Sequence, residues 1–568
     1  MAELNVSKKC VSNLFTDMQA KKFIIPDYQR PYKWDKEKCE TLWQDLVTFY
    51  EENYEGASEY YLGTVVTCKG DDPSALNDIE VIDGQQRITS FFLLLRAFYT
   101  KLEGSIEDDN IVGLKNQIAP CIWDVNSISG KVTDKRHIHI ESRVATEQDN
   151  EVFHEILRTG VRDPDNNDLY SVNYSYFFER CNEYAQKNPT HWQPFLVTIL
   201  KRCILLPIDC EKLDTALTIF STLNDRGMPL SDSDIFKAQI YRHKSTSDEK
   251  NQFTKDWKDL TVTVEETGIS LDDLFRYYTH VIRSRNGDKT KEIGLRKFYA
   301  GTDNKFLKLQ AQNLIEELTC LAEFWLTISK VDTEIDGRTM FNFESQKYLH
   351  CLNHYPNEYW KYVTSVFYFA NKDSPDFAEK FTIFLRKIIS FYFTHFIMNP
   401  SVNAIKDATY QFCIDLSELR PLKVSEKLPS DFSVLMSQAV NYKIARAIIL
   451  LHAYENPVQT SLLPQKFEIE HIFPQRWQST NYFGWTQEDA EEYMEKFGNK
   501  VAIEKKLNIQ AGNGYFGRKK DRYRSSNIAN VLNLSCYEKD DWAKEDIETR
   551  EHAFLEKITA FFSENLEA

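Results

Sequence analysis

The chain has 568 residues and a formal net charge of −16, with 42% hydrophobic and 27% charged residues. This length suits two to four domains, and the composition is that of an ordinary globular protein. The acidic balance argues against a protein that coats nucleic acid, although it is compatible with an enzyme that carries a local basic track.

The opening residues, MAELNVSKKC, lack the apolar stretch of a signal peptide, and no run of 18 apolar residues follows. We therefore predict no membrane span and interpret the most apolar stretches, such as 388–398, as core helices. The eleven cysteines form no CxxC pair, which favours reduced thiols over a disulfide framework or a zinc knuckle. These features together predict a cytoplasmic protein.

The first 240 residues mix strand and helix signals, which predicts a domain of the α/β type. Residues 80–83, EVID, have the pattern of a short buried strand; Gly84 permits a tight turn, and apolar residues at helical spacing begin at Ile88. The free backbone N–H groups of such a helix start attract phosphate, and Arg87 is able to clamp phosphate oxygens. The alternative is a structural turn in which Asp83 bonds backbone amides and Arg87 pairs with an acid.

A second polar cluster lies at 25–34, IPDYQRPYKW, where prolines bound a stretch rich in aromatic residues. Aromatic faces beside Gln29 and Arg30 suit a base or a nucleotide. The alternative is an ordinary loop that is anchored by its aromatic side chains.

The middle of the chain is predicted to be mostly helical, with aromatic-rich stripes of the kind that face a core. His350, Cys351 and His354 are spaced to share one helical face, but no further ligands are apparent, so a metal site is not favoured. We expect no chemistry in this region.

The C-terminal region carries Glu470-His471 in an apolar frame, followed by Asn499 and Asn508. A nuclease that uses one metal ion needs a neutral histidine to take a proton from water, and a carboxylate with a second oxygen ligand for Mg²⁺ or Mn²⁺. His471 suits the first role, Glu470 and Asn508 suit the second, and the Asn499 amide is suited to orient the loop of the histidine. A core histidine is the alternative, whereas a zinc site lacks His and Cys ligands.

Basic residues cluster beside this motif. Between residues 496 and 524 there are nine lysines and arginines against two acids. Phosphate contacts from such a track fix the position of DNA without reading its sequence. The alternative is a solvated charged face. The residues predicted to contact DNA are Lys500, Arg518, Lys519, Lys520, Arg522 and Arg524.

These pieces resemble the GmrSD-type modification-dependent (type IV) restriction enzymes, in which a ParB-like domain with a DGQQR motif pairs with an HNH (ββα-metal) nuclease domain. The N-terminal matches are IPDYQRPYKW at 25–34, YLG at 61–63, DGQQR at 83–87 and FSTLNDRG at 220–227, followed by LSDSDI at 230–235. The resemblance implies that this domain binds and hydrolyses a nucleoside triphosphate and takes part in sensing modified DNA. The implied nucleotide-binding residues are Asp83, Gly84, Gln85, Gln86, Arg87, Gln29, Arg30 and Asn224.

The C-terminal resemblance covers about residues 410–555 and includes EHIFPQ at 470–475. The implied roles are His471 as general base, Glu470 and Asn508 as metal ligands, Asn513 as a rival ligand, and Asn499 as the residue that positions the base. Two departures stand out. Many HNH nucleases carry Asp before the histidine, where this chain has Glu, and Lys500 occupies a position where the family usually has Leu.

The sequence thus predicts an α+β multidomain chain, with a ParB-like α/β domain at 1–240, a largely helical middle at 241–455, and a ββα-metal nuclease domain with C-terminal helices at 456–568. The predicted activity is NTP-dependent cleavage of modified phage DNA, such as DNA with hydroxymethylated or glucosylated cytosine, by metal-dependent phosphodiester hydrolysis. The predicted cofactors are Mg²⁺ or Mn²⁺ and one of GTP, UTP, CTP or ATP. The alternatives are an NTP-hydrolysing sensor with an inactive nuclease domain, and a phosphorothioate-sensing nicking nuclease. A homodimer is expected because one nuclease site per chain cuts two strands more easily in a pair.

Overall fold

The computed structural model describes the chain apart from residues 1–3, 19–20, 70–77, 164–165, 212–214, 217–218, 220–230, 293, 304, 402, 425–426, 481 and 568. Packing divides the chain into two compact units, Met1–Lys255 and Asp256–Ala568. The first border predicted from the sequence, at residue 240, lies inside the first unit. The three-part division itself stays a prediction.

The first unit mixes strands and helices. Its elements in chain order are β1 (Leu4–Val6), β2 (Lys9–Cys10), α1 (Val11–Thr16), β3 (Phe23–Ile25), α2 (Lys36–Glu52), β4 (Tyr60–Lys69), β5 (Ile79–Asp83), α3 (Gln85–Glu103), α4 (Asp109–Ile122), β6 (Ile140–Ser142), α5 (Glu147–Thr159), α6 (Leu169–Lys187), α7 (Trp192–Arg202), β7 (Cys203–Cys210) and α8 (Asp232–Arg242). The next helix, α9 (Ser247–Thr267), contains the border between the units.

A mixed sheet joins the strands of this unit in the order β1-β7-β4-β5-β3-β6, with β2 paired to β7. β3 and β5 are parallel neighbours, with Ile24 opposite Glu80, whereas β4 runs antiparallel to β5, with Val66 opposite Asp83. The carboxyl ends of β3 and β5 therefore lie at the same end of the sheet as the start of β4. The DGQQR motif lies at this end, because β5 ends at Asp83 and α3 begins at Gln85.

The core of the first unit is built around α3, which is buried along almost its whole surface. Its residues Phe91, Leu94 and Leu95 are fully buried. A helix that is apolar on nearly all sides is typical of a protein interior. Arg96 is fully buried on the same helix, and its guanidinium donates to Glu103 at 3.1 Å, which compensates for the burial of its charge.

The second unit is mainly helical. After α9 its elements are α10 (Leu271–Arg285), α11 (Leu295–Ala300), α12 (Leu314–Lys330), β8 (Glu334–Ile335), β9 (Arg338–Thr339), α13 (Phe343–Leu352), α14 (Tyr359–Asn371), α15 (Phe377–Met398), α16 (Lys406–Ser417), α17 (Phe432–Gln438), α18 (Ala445–Tyr454), β10 (Phe467–His471), α19 (Gln487–Tyr493), β11 (Lys500–Glu504), α20 (Lys505–Ala511), α21 (Phe516–Tyr523), α22 (Ala529–Ser535) and α23 (Lys544–Glu567). Short 3-10 helices lie at Leu307–Gln310, Ala439–Asn441 and Phe497–Asn499.

Aromatic side chains fill much of the core of this unit, as the stripes in the sequence predict. Phe324 stacks on Tyr368 with ring centroids 4.3 Å apart, and Phe367 stacks on Phe384 at the same distance. Stacked pairs of this kind stabilise a core beyond the area that they bury.

The His350, Cys351 and His354 group has the environment of core side chains. The Nδ1 atom of His350 lies 2.7 Å from the Tyr454 hydroxyl. Burial lowers the pKa of both histidines to about 4, so both rings are neutral near pH 7. Among the residues that the structure describes, no group of three or more His, Cys, Asp or Glu side chains is placed to hold a metal ion.

One described helix, α15, is long and apolar enough to cross a membrane, and 67% of its most apolar window is buried inside the structure. A bent pair, Phe432–Asn441 with Ala445–Tyr454, passes the same test only when it is taken as a single span. The residues at 388–398 that the sequence assigns to a core helix lie in α15. Its burial is the kind expected of a core helix.

Candidate functional sites

Glu470 and His471 end β10, which pairs antiparallel with β11 to form a hairpin. Glu470 lies opposite Val501, and His471 lies opposite Lys500. Successive side chains of a strand point to opposite faces, so Glu470 and His471 have different surroundings. Helix α20 packs against both strands.

Glu470 is held in a buried ion pair with Lys519. Their side chains are 5% and 1% exposed, and Lys519 Nζ lies 2.8 Å from Glu470 Oε1. The Tyr523 hydroxyl donates to the same oxygen at 2.7 Å, and Lys519 also donates to the carbonyl oxygen of His471 at 2.6 Å. Burial lowers the pKa of Lys519, and the Glu470 carboxylate opposes that shift. The pair therefore fastens α21 to the end of β10.

Asn499 closes the loop that follows His471. Its side chain is fully buried; Oδ1 accepts from the Phe473 N–H at 2.7 Å, and Nδ2 donates to the Phe473 carbonyl at 3.0 Å and the Met494 carbonyl at 2.9 Å. Its backbone carbonyl accepts from the Ile472 N–H at 2.9 Å. Asn499 thus holds the two residues after the histidine, Phe473 through its side-chain amide and Ile472 through its backbone carbonyl. Its role in positioning the base stays a prediction.

Glu495 joins His471 to Lys500, a contact that the sequence reasoning missed. Glu495 Oε1 lies 3.3 Å from His471 Nε2, at ion-pair distance although not aligned as a hydrogen bond, and Oε2 pairs with the Lys500 ammonium. The contact with His471 and the Lys500 charge hold the pKa of Glu495 at about 2, against the effect of burial. The sequence has no motif at Glu495. Its place beside the histidine becomes visible only because Lys500, which it pairs with, lies opposite His471 in the hairpin.

The arrangement at Glu470 does not fit a divalent metal site. The Lys519 ammonium already neutralises the carboxylate, whereas Mg²⁺ and Mn²⁺ need oxygen ligands without a competing cation. Asn508 is half-buried on α20, and the exposed Asn513 accepts from the Arg476 N–H at 3.2 Å. The metal ligands therefore stay a prediction, which rests on residue types, their order and the resemblance.

Three of the six residues predicted to contact DNA are exposed, and three are not. Arg518, Arg522 and Arg524 are exposed, and the first two lie four residues apart on one face of α21. The three lysines are buried in ion pairs and bonds to the protein: Lys500 with Glu495, Lys519 with Glu470, and Lys520 with Asp540 and the carbonyl of Tyr537. Their contacts with DNA stay a prediction that this burial does not favour.

In the first unit, the DGQQR turn has the predicted form. β5 ends at Asp83, Gly84 has a φ of +89°, and α3 begins at Gln85. A side chain at Gly84 would be strained at this φ, and its Cβ would lie 3.1 Å from Val65 Cγ2. The turn therefore needs glycine for both conformation and space.

Two arginines flank the Asp83 carboxylate. Burial raises the pKa of Asp83, and a backbone N–H and the nearby Arg87 and Arg30 guanidinium groups lower it. Arg87 Nη1 donates to the Thr64 carbonyl at 3.0 Å and lies against Gly63, where a Cβ would be 2.8 Å from Nη1. The Nε of Arg30 is buried and has no hydrogen-bond partner in the described part of the chain. Two cations sharing one carboxylate leave positive charge at this end of the sheet.

The glutamines of the predicted nucleotide site bond to the protein itself. Gln86 Oε1 accepts from the backbone N–H groups of Lys33 and Trp34 at 2.7 and 3.2 Å, and Nε2 donates to the Pro31 carbonyl at 3.0 Å. Gln29 Nε2 donates to the backbone carbonyl of residue 82 at 3.0 Å. Both side chains hold the 25–34 loop against the strand end, so their predicted contacts with a nucleotide are not favoured by this arrangement and stay a prediction. Gln85 is buried as well.

The aromatic residues of that loop also face inward. Tyr28 and Tyr32 are 4% and 7% exposed, and Tyr32 stacks on Tyr170 with centroids 5.0 Å apart. These contacts are those of an aromatic-anchored loop rather than of a base-binding surface. Asn224, the remaining predicted nucleotide contact, lies outside the described residues.

Comparison with known families assigns both ends of the chain. Residues 11–241 match the N-terminal domain of the GmrSD restriction endonuclease, and residues 425–557 match the C-terminal domain of the GmrSD restriction endonucleases. The molecule is therefore an endonuclease of the restriction class, an enzyme that cuts DNA. The two matches together cover more than half of the chain, which belongs to the GmrSD restriction endonucleases, as the resemblance predicts. No curated protein matches the chain.

Proposed function

We propose that the chain is an NTP-dependent restriction enzyme that cleaves modified DNA by hydrolysis at the β10–β11 hairpin. The observation that carries this proposal is the double anchoring of His471, by Asn499 through the following loop and by Glu495 through the ring. A base that is oriented by a third group is the arrangement that activates water or a nucleophile in many hydrolases.

In the proposed mechanism, His471 takes a proton from water. The Glu495 carboxylate lies on the Nε2 side of the ring, so an N–H there leaves Nδ1 as the free base. The water attacks the phosphorus, and the 3′ oxygen leaves. Arg518 and Arg522, exposed on one face of α21, hold the phosphates on either side.

We further propose that the strand end at Asp83 binds the phosphates of a nucleoside triphosphate. The support is the pair of guanidinium groups on Arg30 and Arg87 beside the start of α3, where free backbone N–H groups favour an anion. Asp83 would orient the attacking water, since the two guanidinium groups beside its carboxylate compete with a metal ion. GTP, UTP, CTP and ATP are the candidates.

One observation favours a second function. Because Lys519 neutralises Glu470, the carboxylate that the sequence assigns to the metal is already engaged, and an NTP-hydrolysing sensor with an inactive nuclease domain accounts for this. The sensor would retain the Asp83 site and lose only the chemistry at His471.

Digestion of a panel of modified phage genomes, with and without Mg²⁺ and each nucleoside triphosphate, distinguishes these functions. Cleavage that disappears in His471→Ala and needs a nucleotide supports the restriction enzyme. Intact DNA together with nucleotide turnover supports the sensor. Arg87→Ala is expected to abolish nucleotide turnover. If DNA cleavage continues unchanged in Arg87→Ala, cleavage does not depend on the nucleotide, and that part of the proposal is wrong.

A further inference from the structure

A cavity of about 630 Å³ opens on the first unit. It is lined by residues of the loop before β6, by α5, by the loop after α5 and by the first turns of α6. None of the residues assigned to the Asp83 site lines it. Its volume lies within the range of about 300–1,000 Å³ that is typical of small-molecule sites.

Two buried polar groups line this cavity without a partner. Ser171 is 1% exposed, and its hydroxyl has no hydrogen bond in the described part of the chain. His154 is half-buried, and its Nε2 atom is buried without a hydrogen bond to the described residues. Burial lowers the pKa of His154, and a hydrogen bond with the backbone of Ile140 raises it by less. The ring is therefore neutral near pH 7. Buried polar groups are rarely left unsatisfied, so a donor and an acceptor here call for a polar ligand.

The charges around the cavity limit the kind of ligand. Its lining includes Arg136, Arg158 and Arg162, of which Arg158 is paired with Glu155. Arg136 and Arg162 have no ion-pair partner within the described residues, so two guanidinium groups are available for a phosphate. The lining also carries three acids, and this balance suits a ligand with a small negative charge better than a triphosphate.

We propose that this cavity binds one nucleotide, with its phosphate on Arg136 and Arg162 and the edge of its base on Ser171 and His154. The side chains of Val152 and Ile156 supply an apolar wall for the face of the base. A free nucleoside monophosphate and a nucleotide extruded from a DNA strand present the same chemistry. The second source rests on the proposed function, because it requires DNA to reach this unit.

Titration of the full-length protein with deoxynucleoside monophosphates tests the first source, and a duplex with one 2-aminopurine in a mismatch tests the second. Saturable binding is expected in at least one arm, with about tenfold or greater weakening in Arg162→Ala. Arg180→Ala, which removes a surface arginine paired with Glu183 on α6, is the matched control and should bind as the native protein does.

Ser171→Ala separates recognition of the base from recognition of phosphate. It removes one buried hydroxyl, and it is expected to weaken binding of the monophosphates while inorganic phosphate competes as before. Binding should persist in Arg87→Ala and in His471→Ala, so a failure of the proposed function leaves this result intact. No saturable binding in either arm, or equal losses in Arg162→Ala and Arg180→Ala with unchanged thermal unfolding, would overturn the proposal.

Discussion

Replacing Lys519 by methionine tests whether the buried ion pair holds the C-terminal hairpin to α21. Methionine keeps an unbranched apolar side chain but removes the ammonium, so among the described residues the Glu470 carboxylate keeps the hydroxyl of Tyr523 as its hydrogen-bond donor. Both partners are almost fully buried, and solvent screening does not reduce the interaction. Removal of one partner from such a pair costs about 3–5 kcal/mol.

Hydrogen–deuterium exchange at the amides of β10 measures the opening free energy of this hairpin directly. Lys519→Met should lower this opening free energy by about 3–5 kcal/mol. The double variant Glu470→Gln/Lys519→Met should recover most of the loss, because it leaves no unpaired charge. Lys380→Met, which breaks an exposed helix pair with Asp376 at 3.0 Å, is the control and should cost less than about 1 kcal/mol.

Two results would refute this reasoning. One is a loss below about 1 kcal/mol in Lys519→Met, since that is the value of an exposed pair. The other is a rise in the stability of the native hairpin on addition of Mg²⁺, because a ligand that binds only the folded state stabilises it. If that rise is absent in Glu470→Gln, Glu470 binds the metal ion and not the Lys519 ammonium.

Four further outcomes are expected. Glu495→Gln should reduce DNA cleavage about 10- to 100-fold, because partners that orient a functional histidine typically contribute that much, whereas Glu492→Gln, at an exposed pair with Lys496, should not. The pKa of Glu495 in the folded protein is about 2, below its usual 4.5. Its contribution to stability is therefore present above pH 4.5 and is lost as the pH falls towards 2. Acid titration of stability should show this loss in the native protein and not in Glu495→Gln. Gly63→Ala should displace Arg87 and impair nucleotide hydrolysis, since a Cβ there would lie 2.8 Å from Arg87 Nη1 and φ is +123°. Gly56→Ala, with its nearest contact at 3.5 Å, should not. Arg518→Ala should lower the salt slope of DNA binding by about 1, and an unchanged slope would place DNA elsewhere.

The local form of both motifs could be predicted from the sequence. Apolar alternation and helical spacing on either side of Gly84 indicate the strand, the turn and the helix, and the structure has all three. The four ordered N-terminal pieces also carry the resemblance to the family, which the comparisons confirm.

The partners of the charged side chains were not predictable in this way. Nine clustered basic residues indicated a DNA-binding track, yet Lys500, Lys519 and Lys520 are buried against carboxylates that lie 5 to 49 residues away along the chain. A lysine is solvated or paired according to what the fold brings beside it, and the sequence contains no local signal for that choice.

The sequence by itself determined the strand, turn and helix around Gly84, the resemblance to the family, and the choice of His471 and Asn499 as candidate site residues. These features depend on local periodicity and on short motifs. Only the tertiary structure decided that Gln29 and Gln86 bind backbone, that Glu470 is neutralised by Lys519, and that Glu495 lies against His471. The physical reason is that hydrogen bonds and ion pairs act over a few ångströms in space. Segments far apart in the chain supply both partners, and packing of the helices against the strands sets which groups meet.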